Sequence, residues 1–322
     1  MTPICTLRIL CCMLVLGAGL HTPTPAAPPE EGAEKNQPES VTVAALQFHS
    51  VFGAPESNRR RLVPLIRKAA EAGANIVVLP EAAVPGYCDL STDRFWSKEK
   101  KDSRFANVKK AAETIPGVST RFFSPWAKKL KIYLTVPVIE RKDGKFYNAV
   151  ALLGPRGKIR LIHRKVVPWT LADTHWMTTA PADSVKTVST EYGRIGIMIC
   201  RDVHKLLPVF GKKGVNVALH CVAWYGPNSG GWFDHVLSRK IKQAGVHLVL
   251  ANWTFPKDPG WSGHGFSRIV NQEGKKVAEA RNKPGSRIIL GKLPLGVKSG
   301  PSNGPHKKNS VRAPEAVVPE RP

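Results

Sequence analysis

The chain has 322 residues, with 48 Lys+Arg against 24 Asp+Glu and a formal net charge of +24. Its apolar fraction of 42% supports a sizeable core and excludes a chain too polar to fold. The positive charge raises the question of polyanions, but the basic clusters are scattered (Arg59 to Arg61, Lys98 to Lys101, Lys128-Lys129, Lys307-Lys308) and no zinc-finger or RNA-recognition spacing accompanies them. A solvated basic surface with no specific nucleic-acid partner is the expectation.

Residues 1–27 read as a signal peptide. Arg8 precedes a short apolar run, Ile9 to Leu20, with small residues near Ala18-Gly19 and Ala26-Ala27. This predicts a secreted or periplasmic protein, with a retained membrane anchor as the alternative. Residues 28–40 are rich in Pro, Ala and Glu and read as a disordered linker. Three of the six cysteines lie in the signal segment, which leaves Cys88, Cys200 and Cys221. That odd number builds no disulfide framework, and no cysteine or histidine has metal-ligand spacing.

A folded domain is expected over 41–296. Strand 41–47 leads into a helix from Ser57, its expected N-cap, to Ala72, with Pro64 inside. Strand 75–80 ends at Glu81. A charged, partly helical stretch (91–112) precedes a helix over 119–130 and strand 132–138. Asp143-Gly144 is a hairpin turn into strand 147–153. Strand 158–163 ends just before Lys165, and a Trp-rich loop (169–182) precedes strand 185–189. The run Arg194 to Ile199 reads as a fully buried strand ending at Cys200. A helix near 205–210, strand 215–221, a helix over 232–244, strand 247–252 and a final meander (266–271, 276–280, 287–293) complete the domain. Residues 297–322 read as a disordered basic, Pro-rich tail. Strands alternating with helices, interrupted by hairpins, predict an α/β fold with mixed sheets.

Glu81, Lys165 and Cys200 each close an apolar strand. If the strands lie side by side, the three gather at one end of a sheet, where α/β proteins place their chemistry. The trio is chemically coherent. A thiol needs a base, which Glu81 supplies, and Lys165 favours the thiolate and a developing oxyanion, together with the backbone N–H of Arg201. Tyr87, His175, Trp176, Trp224 and Tyr225 are candidates for the pocket wall. His220 and His247 read as core histidines, and His204 as a surface residue or helix start.

Several stretches resemble the carbon–nitrogen hydrolase, or nitrilase, superfamily. They are Val43 to Gln47 with Asn58, Ala69 to Asn75, Val78-Leu79-Pro80-Glu81 with Gly86-Tyr87, Tyr147-Asn148-Ala149 with His163-Arg164-Lys165, Gly193 to Asp202, Ala251-Asn252 and Gly263 to Gly274. The resemblance implies a four-layer α-β-β-α sandwich, a homodimer or larger homo-oligomer, and no cofactor or metal. It implies Glu81 as base, Lys165 as oxyanion stabiliser and Cys200 as nucleophile. The reaction would be cleavage of a non-peptide C–N bond through a thioester, in a linear amide, N-carbamoyl or nitrile substrate. Acyl transfer to an amine, or a catalytically weak binding protein on the same scaffold, are the alternatives. Many family members carry a second glutamate after the lysine. The loop 169–182 has none and offers Asp173 or His175 in its place.

Overall fold

A computed structural model describes residues 38–51, 53–86, 109–169, 173–174, 176–224, 231–254, 265–280 and 285–296. The signal segment, most of the linker and the tail lie outside these residues. Two six-stranded sheets form the centre. The first has the order β12-β1-β2-β3-β4-β5, with β1 Ser40–Gln47, β2 Ile76–Val78, β3 Tyr133–Lys142, β4 Lys145–Leu153, β5 Ile159–Arg164 and β12 Arg287–Pro294. The second has the order β11-β10-β9-β8-β7-β6, with β6 Val188–Thr190, β7 Gly193–Ile199, β8 Val217–Cys221, β9 His247–Ala251, β10 Arg268–Val270 and β11 Lys276–Glu279. Each sheet has a parallel centre (β1, β2, β3 and β7, β8, β9) flanked by antiparallel strands.

The layers follow from strand alternation. Ala44 and Leu46 of β1 face helices α1 (Pro55–Glu71) and α2 (Val118–Leu130), where Leu62, Ile66, Phe123 and Ala127 meet them. Val43 and Ala45, one residue out of step, join the core shared with the second sheet. The outer face of that sheet carries α3 (Val203–Lys212) and α4 (Ser238–Ala244). The expected α-β-β-α sandwich with mixed sheets is therefore what the chain builds. Among the described residues no helix is long and apolar enough to cross a membrane.

Local departures have identifiable causes. α1 begins at Pro55, so Ser57 lies inside it rather than capping it. Proline suits a first turn, where its missing N–H is not needed and its φ is already helical. The helix runs on through Pro64, which is exposed, so the carbonyl it leaves unpaired can be solvated. The helix expected over 232–244 opens with a π-helical turn, Trp232–Leu237, before α4. The stretch 91–112 falls largely outside the described residues. At the β3–β4 hairpin, Asp143 and Gly144 both adopt positive φ (49° and 72°), the twist a two-residue turn requires.

Gly196 of β7 marks how closely α3 lies on the second sheet. A Cβ there would stand 2.7 Å from the Phe210 ring. Gly196→Ala is expected to destabilise the fold by about 1–3 kcal/mol through overpacking, read as a lower urea midpoint with an unchanged slope.

Candidate active site

Glu81 sits three residues past β2, and its carboxylate is held on both oxygens. Oε1 accepts from Asn148 Nδ2 (2.7 Å) and Lys165 Nζ (2.8 Å), and Oε2 accepts from the Ala223 backbone N–H (3.0 Å). Its carbonyl accepts from Trp253 Nε1 (2.6 Å), and Ala82 beside it has φ 47°. Asn58 braces this loop from α1, donating to Val51 O (2.7 Å) and Val84 O (2.9 Å). Three otherwise distant segments thus fix one carboxylate.

Lys165 directly follows β5. Its ammonium lies between two carboxylates, Glu81 Oε1 at 2.8 Å and Asp173 Oδ2 at 2.7 Å, and all three side chains are at most 1% exposed. The Trp169 backbone N–H donates to the same Asp173 oxygen (2.6 Å), and Trp176 and Met177 N–H donate to the Asp173 carbonyl. Asp173 therefore takes the carboxylate position beside the lysine for which it and His175 were both candidates, with a side chain one methylene shorter than the family's glutamate.

Cys200 follows β7 at the start of a short 3-10 turn, Cys200–Asp202, with φ 45°. The left-handed region costs an L-residue roughly 1–2 kcal/mol. Two contacts hold the turn. His220 Nε2 lies 2.8 Å from the Cys200 carbonyl, and because a carbonyl only accepts, that nitrogen carries the proton. Asp202, wholly buried, accepts from Val166 N (2.9 Å) and Val167 N (2.8 Å) on one oxygen, and from Ile199 N (3.0 Å) and His163 Nε2 (2.8 Å) on the other. One carboxylate so ties the end of β7 to the loop after Lys165.

Burial sets the protonation states. It raises the Glu81 pKa, against the opposing charge of Lys165. It also pushes the Cys200 thiol far up, with Glu81 adding to the shift and Lys165 opposing it. The resting Cys200 side chain is thus a neutral thiol. Lys165 does favour the thiolate, as its charge lowers the thiol pKa, but desolvation and the adjacent carboxylates outweigh one ammonium. Asp173 and Glu81 together keep Lys165 charged, raising its pKa well above the usual value despite burial. His220 is lowered to about 4, chiefly by burial, and is neutral.

The three residues that close strands do converge, but not along one sheet. β2 and β5 belong to the first sheet, with β3 and β4 between them, and β7 belongs to the second. The site lies where the ends of the two sheets meet. Trp176 is buried in the turn that carries Asp173, and Trp224 is half-buried, stacked on Trp232 with centroids 5.3 Å apart. Tyr87, His175, Tyr225 and Cys88 lie outside the described residues. His247 is a core histidine, its Nδ1 accepting from Gln272 N (3.0 Å). His220 is also core, but its partner is the Cys200 carbonyl. Asn148, Asp202 and the Ala223 N–H were not singled out beforehand. The first two stand inside quoted motifs, whereas nothing in the sequence marks a backbone N–H. Among the described residues no cluster of three or more His, Cys, Asp or Glu side chains is arranged to hold a metal ion.

The family model for carbon-nitrogen hydrolase matches residues 42–297. The chain belongs to the carbon–nitrogen hydrolase family. It is 33% identical over 187 residues to an omega-amidase of Danio rerio, covering 55% of this chain and 61% of that protein, so the match spans about three fifths of the relative's length. Among solved structures it is similar to Saccharomyces cerevisiae Nit3 of the nitrilase superfamily (26% identity, TM-score 0.63, 80% of this chain and 90% of that one). It also shares its fold with an amidase from Nesterenkonia sp. (17% identity, TM-score 0.65, 80% and 92%).

Removing one member of a buried ion cluster leaves a charge without compensation. Asp173→Ala is therefore expected to cost about 3–5 kcal/mol of stability, measured by equilibrium urea unfolding. A loss below about 1 kcal/mol, the size of a surface pair, would show that Lys165 does not need this carboxylate.

Proposed function

We propose that the protein is a thiol hydrolase that cleaves a non-peptide carbon–nitrogen bond, in a linear amide or N-carbamoyl compound, with Glu81, Lys165 and Cys200 as its catalytic residues. The observation that carries this reading is the buried contact of Lys165 Nζ with Glu81 Oε1 at 2.8 Å, in electrostatic reach of the Cys200 thiol. The relatives named above as omega-amidase and amidase support the same reaction class.

The chemistry follows from the protonation states. As the Cys200 sulfur attacks the carbonyl carbon, its proton passes to Glu81, since the thiol is neutral at rest. The carbonyl oxygen gains charge, which Lys165 and the backbone N–H of Arg201 stabilise. Glu81 hands its proton to the departing nitrogen, the C–N bond breaks, and the acyl group remains on sulfur as a thioester. Glu81 then takes a proton from water as the water attacks. Acid is released, and the sulfur regains its proton. Asp173 holds Lys165 charged through both steps. The non-catalytic alternative drew on the lack of a second glutamate, and Asp173 at 2.7 Å from Lys165 removes that motive.

Export and self-association belong to the proposal as well. The basic and apolar residues of the first 27 positions support export, and N-terminal sequencing of the mature protein tests it. Family resemblance supports a homo-oligomer, which light scattering tests.

Cys200→Ala is expected to abolish ammonia release from a panel of amides and carbamoyl compounds, and parent-level activity would remove Cys200 as nucleophile. Glu81 must be a carboxylate to accept the thiol proton, and its pKa is raised. Lowering the pH should therefore silence the enzyme at a higher pH than an ordinary glutamate would allow, with activity regained as pH rises through that value. The acid limb of kcat/KM reads this, and a limb at or below the usual carboxylate range would contradict it.

A further inference from the structure

His220 lies on β8, parallel to β7 and level with Met198. Its ring reaches two residues further along the neighbouring strand, where Nε2 donates to the Cys200 carbonyl at 2.8 Å. The residue is 1% exposed, and its Nδ1 is buried with no hydrogen-bond partner. Burial lowers its pKa to about 4, so near neutral pH the ring is uncharged and its single proton is on Nε2. An apolar side chain of similar size would fill this place without leaving a buried nitrogen unmet, which is a standing penalty. The bond to the Cys200 carbonyl is what the histidine has and such a side chain lacks.

That carbonyl belongs to the same peptide as the Arg201 N–H, the donor assigned above to the carbonyl oxygen of the substrate. The peptide is trans and planar, so its C=O and N–H point in opposite directions. Holding the oxygen from one side therefore sets where the N–H is aimed on the other. The peptide needs such a hold, because Cys200 has φ 45°, a region an L-residue enters only when its surroundings enforce it. The Val203 N–H also meets the Cys200 carbonyl, closing the 3-10 turn, so two donors share this oxygen. A donor on the oxygen polarises the peptide and makes its N–H a stronger donor in turn. The Asp202 carboxylate holds Ile199, Val166 and Val167 and so fixes the flanks of the turn instead.

Resting on the hydrolase reading of the site, we infer that His220 is a positioning residue for the oxyanion hole: by holding the Cys200 carbonyl it aims the Arg201 N–H at the oxygen that gains charge as the sulfur attacks. It acts through the peptide and takes no proton in the cycle. An N–H aimed in this way gains strength as charge develops on the substrate oxygen, so His220 acts on the chemical step rather than on substrate binding.

The test removes the donor and keeps the ring. In His220→Phe, kcat for amide hydrolysis should fall about ten- to a hundredfold with KM nearly unchanged, less than the loss of an oxyanion donor outright because the Val203 bond remains. His220→Gln, whose amide reaches the same carbonyl, should recover most of kcat, and His220→Asn, one methylene shorter, should not. A parent-level kcat in His220→Phe, or an effect confined to KM, overturns the inference. Should His220→Phe not fold, the Gln and Asn variants decide, and an equal kcat in the two overturns it. A second arm needs no turnover. Propanal, labelled with carbon-13 at its carbonyl, adds to the Cys200 thiol: the sulfur–carbon bond forms, the carbon–oxygen π bond opens, and the thiol proton ends on that oxygen as a hemithioacetal. The dissociation constant of this adduct, read by NMR, should rise about tenfold in His220→Phe, while alkylation of Cys200 by iodoacetamide, which builds no charge on a carbonyl oxygen, should keep its rate. An adduct equally stable in both proteins, no adduct in the parent, or alkylation slowed by the same factor overturns the assignment. An adduct weakened as expected in a protein that hydrolyses no amide supports His220 and removes only the hydrolase reading.

Discussion

The ammonium of Lys165 is enclosed between two carboxylates in a site with almost no exposure to solvent, and most of the local architecture serves to keep it there. A lone buried ammonium would lose its proton, and lone buried carboxylates would gain one. The two acids stabilise the cation, and the cation stabilises them. Their remaining hydrogen-bond capacity is met by Asn148, Ala223 and Trp169. The cluster is thus a polar island inside an apolar sandwich, stable only as a unit. The same low-polarity setting that makes it costly keeps the neighbouring thiol neutral and makes Glu81 a stronger proton acceptor than a solvated glutamate.

The Asp202 carboxylate has a different task. It binds four donors, two of them in the loop after Lys165 and one at the end of the strand that leads to Cys200. The Cys200 thiol and the Lys165 cation follow strands of different sheets, and packing of apolar side chains alone sets sheet positions only to the tolerance of a methyl group. Short directional bonds from one buried acid set the spacing more tightly. His220, bound to the Cys200 carbonyl, holds the other side of the same strained turn. Asp202 and His220 thus position the Cys200 turn through backbone groups and the His163 ring rather than through the thiol itself.

The sequence and the structure agree where the signal is local. Strand alternation, the Asp143-Gly144 turn and the abrupt ends of apolar runs before Glu81, Lys165 and Cys200 are written in short windows, and the elements fall within a few residues of their expected bounds. The differences arise where distant contacts choose between locally allowed forms. Pro55, rather than a Ser57 cap, begins α1, and a π turn precedes α4, placing Trp232 against Trp224 and His204. Of two candidates for the carboxylate place near Lys165, the folded loop places Asp173 there.

Residue chemistry and spacing alone determine that this chain carries a thiol, a carboxylate and an amine at the ends of buried strands, and that it alternates strands with helices. Those facts are properties of windows a few residues long. That the three groups meet across two sheets rather than along one, that the thiol rests neutral, and that Asp173 stands against Lys165 are decided only by tertiary structure. Protonation and pairing depend on burial and on neighbours tens of residues away, which no local pattern encodes.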